Sequence, residues 1–440
     1  MINNNLKRAI ALGTTFCLVV PASVLATNGM MLIGVGNKSR AMGGVAIASP
    51  LDSLSGATNP AVISGMGDRF DIGMDIFIPE AESQLGSVNA ESKASINGVG
   101  LEKTFFMPAM AVTYQYNNDI TLGFSMAPAG GGGTKYETNF FEAASAGSVN
   151  TPTINDKLGV DLLVMHMNPT IAYKLNDNNN IGFSLVIGVA RFSAYGLSLF
   201  DPFTQTQGTT DDFTNQGKDW TGGAGIRLGW FGDYGNLTLG AEYSSKVYMK
   251  EFTHYEELFA EHGDIDFPAN IGLGASYKIN NDLRVAMDIT YTLYEDVAAI
   301  GNVGPNLAGD PNGPLGSNDR KLGLDNGMGF GWSNQTVFKI GTEYYYSEKT
   351  IFRAGWNYGK SPINEDREII FNLLAPASTQ NHLTLGGTYL YSSEMEFNAS
   401  YVHAFEYEQS GPTYISDDGS NFGSLKMSQN SLGFSLSYKF

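Results

Sequence analysis

The last ten residues of the chain, SLGFSLSYKF, alternate without a break. Leu432, Phe434, Leu436, Tyr438 and Phe440 fall on one parity, and Ser431, Gly433, Ser435, Ser437 and Lys439 on the other. A period of two is that of an extended strand whose side chains leave on opposite faces, one face here being large and apolar, the other small and polar. The same grammar recurs upstream. Phe70, Ile72, Met74, Ile76 and Ile78 alternate with Asp71, Gly73 and Asp75; Ile120, Leu122, Phe124 and Met126 alternate with Thr121, Gly123 and Ser125; Leu237, Leu239, Ala241 and Tyr243 alternate with Thr238, Gly240 and Glu242. Gly-Phe-Ser occurs three times, at Gly123, Gly182 and Gly433, with the Phe on the apolar parity. Short polar connectors separate many strands: Asn117-Asn118-Asp119, Asn176 to Asn180, Asp233-Tyr234-Gly235, Asn280-Asn281-Asp282, Ser347-Glu348-Lys349 and Ser392-Ser393-Glu394. They interleave with longer segments near 80–102, 130–160, 193–218, 247–267, 297–332, 362–378 and 408–427. Six tight turns and seven long loops predict fourteen antiparallel strands.

Composition decides where such a sheet would live. Glycine (53), Phe (26) and Tyr (22) are abundant, while charged residues are only 16% of the chain. The start reads as a secretory signal peptide over residues 1–26: Lys7 and Arg8, an apolar stretch from Ala9 to Val20, Pro21, then Ser23-Val24-Leu25-Ala26. After it, no apolar run reaches the roughly 18 residues of a spanning helix. Cys17, the single cysteine, lies inside that segment, so the mature chain is expected to hold neither disulfide nor thiolate. The formal net charge of -18 becomes more negative when Lys7 and Arg8 are removed, which argues against a nucleic-acid partner. An exported chain that is rich in glycine and aromatics and lacks helical spans is read most economically as all-β. It predicts a monomeric transmembrane barrel over 69–440, closed so that every backbone group is satisfied without water, among the lipids of a Gram-negative outer membrane.

Residues 27–68 do not alternate. They carry glycines, Pro50 and SLSGATNPAVISGM, with Met42, Val45, Ile47, Leu51, Leu54, Val62 and Ile63 supplying enough apolar surface to pack. Within them GVGNKSRAMGG resembles a phosphate loop, but Asn37 stands where that motif needs glycine before the Lys-Ser pair. Because both termini of such a barrel lie on the same side of the membrane, this segment is expected to fold up into the lumen as a plug.

The chain resembles the FadL/TodX (OmpP1) family of outer-membrane transporters for long-chain fatty acids and hydrocarbons. The resemblance is carried by Ser39-Arg40-Ala41-Met42-Gly43-Gly44, by Asn59-Pro60-Ala61, and by the strand pattern that ends in Phe440. A terminal Phe is also the ending that barrel assembly machinery reads. The resemblance implies uptake of a hydrophobic small molecule, a fatty acid first and an aromatic or alkane hydrocarbon second. Substrate would be captured in an apolar groove between outer loops and released sideways through the wall, under control of the N-terminal hatch and a kinked third strand. Such a route keeps apolar surface out of water.

Each part has candidates. Arg40, Asn59, Pro60 and Ala61 belong to the hatch; Pro128, Gly130 and Gly131 could kink the third strand, since proline cannot continue a ladder and glycine permits sharp deviation. Phe192, Tyr195, Leu199 and Phe200 in one outer loop, with Phe252, Tyr255 and Phe259 at near-helical spacing in the next, are candidates for the groove. Arg191 and Lys339 could receive a carboxylate. Parity places Arg227, Arg284, Lys339, Arg353 and Lys439 inward, with Asp71, Asp75, Glu242, Asp288 and Glu343 available to pair with them. Lys38 and Arg40 in the plug could meet Asp71 or Asp75. None of the five histidines, His166, His254, His262, His382 and His403, accompanies a Gly-x-Ser-x-Gly turn or a metal-ligand spacing. No cofactor, metal or catalytic residue is expected, and an outer-membrane lipase is disfavoured. A polar porin, an adhesin-like barrel and a soluble propeller are rival readings of the same strand pattern.

Overall fold

The computed structural model describes residues 28–94, 103–145, 157–206, 208, 211–305, 320–413 and 422–440; the signal peptide expected over 1–26 lies outside them. Fourteen strands form one closed antiparallel barrel: β1 (Arg69–Leu85), β2 (Phe105–Gln115), β3 (Ile120–Tyr136), β4 (Leu158–Lys174), β5 (Asn179–Tyr195), β6 (Asp219–Tyr234), β7 (Leu237–Ser244), β8 (Asn270–Lys278), β9 (Leu283–Thr292), β10 (Gln335–Ser347), β11 (Thr350–Gly359), β12 (Asn381–Leu390), β13 (Met395–Pro412) and β14 (Phe422–Lys439). Neighbours in sequence are neighbours in the sheet. β1 closes the ring on β14, from Arg69 opposite Lys439 to Leu85 opposite Gly423. Two short strands, Val88–Glu91 against β1 and Tyr248–Met249 against β6, extend the wall at the long-loop end. No helix among the described residues is long and apolar enough to cross a membrane.

Burial is inverted relative to a water-soluble sheet. On β14, Phe434 is 56% exposed, whereas Ser431 and Ser437 on the opposite parity are 3% and 1% exposed. The apolar parity of the sequence therefore faces outward, into lipid, and the polar parity faces the lumen. Near the tight turns the outer surface carries exposed Tyr116, Tyr234, Tyr277, Tyr346 and Tyr391, the amphipathic rings that favour a membrane–water interface.

Residues 28–68 fill the lumen. They hold a short helix at Asn37–Arg40 and two 3-10 turns, Ser53–Ala57 and Pro60–Ile63, and nearly all of their side chains from Asn28 to Ile63 are buried. The wall makes room with glycine. A Cβ would collide with Asn37 at Gly433, with Met42 at Gly341 and Gly355, with Ile47 at Gly240, with Asn59 at Gly229 and with Pro60 at Gly182. The three Gly-Phe-Ser glycines share this role, because Gly123 abuts Ile63. Polar contacts fix the segment further. Asp288 Oδ2 accepts from the main-chain N–H groups of Ala46 (2.8 Å) and Ile47 (3.0 Å), and Thr384 Oγ1 accepts from Gly43 N–H at 2.8 Å.

Candidate functional site

The Asn59-Pro60-Ala61 tripeptide sits where its chemistry requires. Asn59 caps the second 3-10 turn, its Oδ1 accepting from Ala61 N–H at 3.0 Å, and Pro60 occupies the first position, where no N–H is needed. The amide Nδ2 of Asn59 donates to Ile47 O at 2.7 Å and to Trp230 O of β6 at 2.9 Å. One buried side chain thus ties two parts of the inner segment to the wall.

The charges pair as parity allows. Arg40 reaches Asp75 at 3.4 Å and donates to Ser431 Oγ at 3.1 Å. Lys38 bonds Glu396, an inward acid of β13 not named from the sequence, at 2.5 Å; Glu396 also takes Arg69 (3.3 Å) and Lys439 (3.0 Å). Asp71 is held by Arg69 at 2.8 Å, and Glu343 by Arg353 (2.9 Å) and Arg284 (3.3 Å). The two carboxylate candidates are engaged as well. Arg191 is buried and bonds Asp161 at 2.7 Å, and Lys339 Nζ donates to Ile33 O at 3.0 Å.

The third strand does not run regularly. Pairing of β3 with β4 is interrupted by a bulge between Pro128 and Gly130, with Ala129 as the extra residue. Pairing of β3 with β2 stops at Met126 opposite Met110, although β2 continues to pair with β1 up to Phe105 opposite Phe77. A window in the wall therefore lies between Phe105–Ala109 and Ala127–Thr134. Above it the sheet is rejoined by Lys93 N–H donating to Lys135 O at 2.7 Å. From the lumen side Phe77, Phe105, Met107, Leu163 and Met427 close it with Leu32 and Met165. The upper part of β3 finds its missing partner in the inner segment: Met31 bridges Gly130, and Gly131 N–H donates to Met30 O at 3.1 Å. Gly130 must lack a side chain there, since a Cβ would meet Met30 O.

Two cavities flank that contact. The upper one, about 70 Å³, is apolar and is lined by Met30, Gly131, Phe192, Phe259, Phe330 and Trp332 among others. The lower one, about 120 Å³, lies in the lumen and is lined by Met31, Leu32, Val35, Ala127, Pro128, His166, Asn168, Arg227, Glu242 and Lys339 among others. Of the groove candidates, Phe192 packs against Phe252 (5.8 Å between ring centres), Tyr255 (4.8 Å) and Phe259 (4.7 Å). Phe200 lies farther along the same core, against Phe141 and Phe371. Leu199 is half-buried, and Tyr195 turns away toward Thr134 O. The near-helical spacing of Phe252, Tyr255 and Phe259 does not reflect a helix. The loop makes a 3-10 turn at Thr253–Tyr255 and a second turn at Ala260–Gly263 in which Glu261 and His262 take left-handed backbone angles.

Sequence reasoning missed Phe140, Phe141, Phe330, Trp332 and Phe371, which complete the aromatic core beneath the long loops. They sit in connections without periodicity, so only their being large and apolar in a polar stretch could have marked them.

The model of the outer membrane protein transport family OMPP1/FadL/TodX matches residues 18–440. The chain belongs to that family. This FadL/TodX member is 23% identical over 433 residues to the long-chain fatty acid transport protein of Escherichia coli O6:H1, covering 86% of this chain and 89% of the relative. Its fold is that of the Pseudomonas putida toluene transporter TodX, with a TM-score of 0.67 at 20% identity, covering 93% of this chain and 99% of the other. A Pseudomonas aeruginosa FadL homologue aligns with a TM-score of 0.64 at 14% identity, over 94% of this chain and all (100%) of that one. As an OMPP1/FadL/TodX protein the chain resides in the outer membrane.

Proposed function

We propose that the protein takes up hydrophobic molecules, long-chain fatty acids first among them, and releases them sideways through the window between β2 and β3. Entry is among the aromatic side chains beneath the long loops, and residues 28–68 act as the hatch. The observation that carries this reading is the position of Met30 and Met31, which line the upper and the lower cavity respectively and lie against the bulged strand beside the window, Met30 O accepting from Gly131 N–H and Met31 bridging Gly130. A ligand pocket ordinarily encloses about 300–1,000 Å³. Cavities of about 70 and 120 Å³ are too small to pass substrate, so the structure is read as the closed state and the turn at Asn28–Met31 as what must move. A fatty acid would keep its chain in apolar surroundings throughout.

A second reading, uptake of uncharged hydrocarbon, is favoured by one observation: Arg191 and Lys339 both have partners already. Deletion of Ala129 tests the shared route. It removes the bulge, lets β3 continue its ladder and preserves which residues face the lumen. Uptake of both oleate and toluene is expected to cease while heat-modifiable gel mobility still reports an assembled barrel. Unchanged uptake in the deletion variant would remove the window from the path.

A further inference from the structure

Three residues lining the lower cavity carry a buried polar atom without a hydrogen-bond partner among the described residues: Asn28 (Oδ1) in the inner segment, and His166 (Nε2) and Asn168 (Oδ1), two positions apart on the wall. His166 is 5% and Asn168 1% exposed, and neither His166 Nε2 nor Asn168 Oδ1 has a hydrogen-bond partner among the described residues. Both side chains leave β4 on its lumen face and line the cavity, His166 opposite Ala127 and Asn168 opposite Ser125, just below the bulge at the window. Their orientations are held from behind. The imidazole stands edge-on to Phe267 at 4.7 Å between ring centres, and Asn168 Nδ2 donates to Ser125 Oγ at 3.1 Å. Buried polar atoms are normally paired, and leaving one unpaired costs about 1–3 kcal/mol. Two such atoms on neighbouring lumen-facing residues that both line one cavity describe a recognition point.

The rest of the lining says what it recognises. The cations of the cavity wall are occupied by the inner segment, Arg227 by Ala57 O and Lys339 by Ile33 O, while the carboxylate of Glu242 borders the same space. An ionised carboxylate would therefore meet negative charge and no free cation among the described lining residues. Asn168 Oδ1 can only accept, so its partner must donate; His166 Nε2 donates or accepts according to tautomer. A neutral O–H group does both. Ethers and hydrocarbons cannot donate, and a carboxylate anion cannot either.

We infer that His166 and Asn168 form a subsite for a neutral hydroxyl-bearing head group at the threshold of the lateral window, occupied by an alcohol or by a fatty acid in its undissociated form. This rests on the proposed transport path and deepens it by naming the head group. Within that path the subsite compensates the head group for lost water just before the chain enters lipid, and it disfavours molecules that cannot use it.

The test is equilibrium binding of radiolabelled 1-dodecanol and dodecyl methyl ether to the purified full-length protein in detergent. The alcohol should bind about tenfold more tightly, the difference that one satisfied buried group makes. Asn168→Leu and His166→Phe should each bring the alcohol down toward the ether and leave the ether unchanged. Equal affinity of the two ligands for the unaltered protein would overturn the subsite and leave the transport path standing, whatever the variants do. Binding of neither ligand would overturn both. Dodecanoic acid should bind like the alcohol at a pH below its ionisation and lose affinity above it; tight binding of the anion would also overturn the assignment.

Discussion

The phenol of Tyr294 donates to the main-chain oxygen of Asn28 at 2.7 Å, joining the base of a long loop to the first described residue of the inner segment. Tyr294 also packs edge-on against Trp332 at 5.2 Å, and aromatic contacts continue through Phe330 and Phe371 to Phe200 and Phe141. A ligand that disturbs the rings beneath the loops thereby acts on the turn that seals the bulged strand. Tyr294→Phe keeps the packing and removes the bond, leaving Asn28 O with only the Met31 N–H at 3.1 Å, at a cost of about 0.5–1.5 kcal/mol. We predict that amide exchange at residues 28–31 accelerates roughly tenfold while the barrel strands keep their protection. Unaltered exchange at those residues would sever the link.

Asn59 makes three hydrogen bonds from one side chain, and no other residue type supplies the same donor and acceptor pair at that length. Asn59→Leu should therefore loosen the inner segment. The expected result is impaired uptake of oleate in cells with normal heat-modifiable mobility; full uptake with normal assembly would take Asn59 out of the mechanism.

The wall glycines predict the opposite kind of failure. A valine at Gly355 or Gly182 would drive its side chain into Met42 and Gly43 or into Pro60 and Ala61, and backbone on both sides leaves no room to give. Because the strands pair independently of what the lumen holds, assembly should survive and the plug should be displaced. Conductance in planar bilayers should rise well above that of the unaltered protein. Silent bilayers with either variant would argue that the segment adapts in place.

Asp264 offers a pH dependence. It lies in the loop between β7 and β8, where burial, then the neighbouring Asp266 and Glu261 carboxylates, push its carboxyl up to about 7. The folded loop keeps a proton that the unfolded loop releases near the ordinary value of 3.8, so the stabilisation is complete below that value and lost as pH rises through about 7. Exchange protection across 252–267, corrected for intrinsic rates, should fall between about pH 4 and about pH 7, and Asp264→Asn should flatten the profile.

The strands were legible because a two-residue period survives at every position where lipid selects large apolar groups and a filled lumen selects small or polar ones. Phe434 beside Ser435 already tells outside from inside. Ion-pair partners were only partly legible, since parity gives the face and not the height: Arg40 found Asp75, but Lys38 found Glu396, which stands at the start of β13 on the same inward parity as Asn398 and Ser400 and was not among the acids named from the sequence. The window was not legible at all. Pro128 and the glycines mark a deviation, yet the loss of pairing between β2 and β3 depends on where two separate strands stop matching. The loops escaped for a different reason. Phe252, Tyr255 and Phe259 converge through tight turns, which a helical period mimics over so short a stretch.

Asn37 is buried against both edges of the ring closure, beside Gly73 of β1 and Gly433 of β14, and its amide donates to Ser400 Oγ of β13 at 3.3 Å. Those edges are the most distant in sequence that must meet, and pairing them is the contact that folding pays for last in chain entropy. A residue from the inner segment lodged at that junction means that the order of events matters. The contacts of Asn37 exist only once the first strand has found the last, so the seated plug is a gauge that the correct two edges have come together.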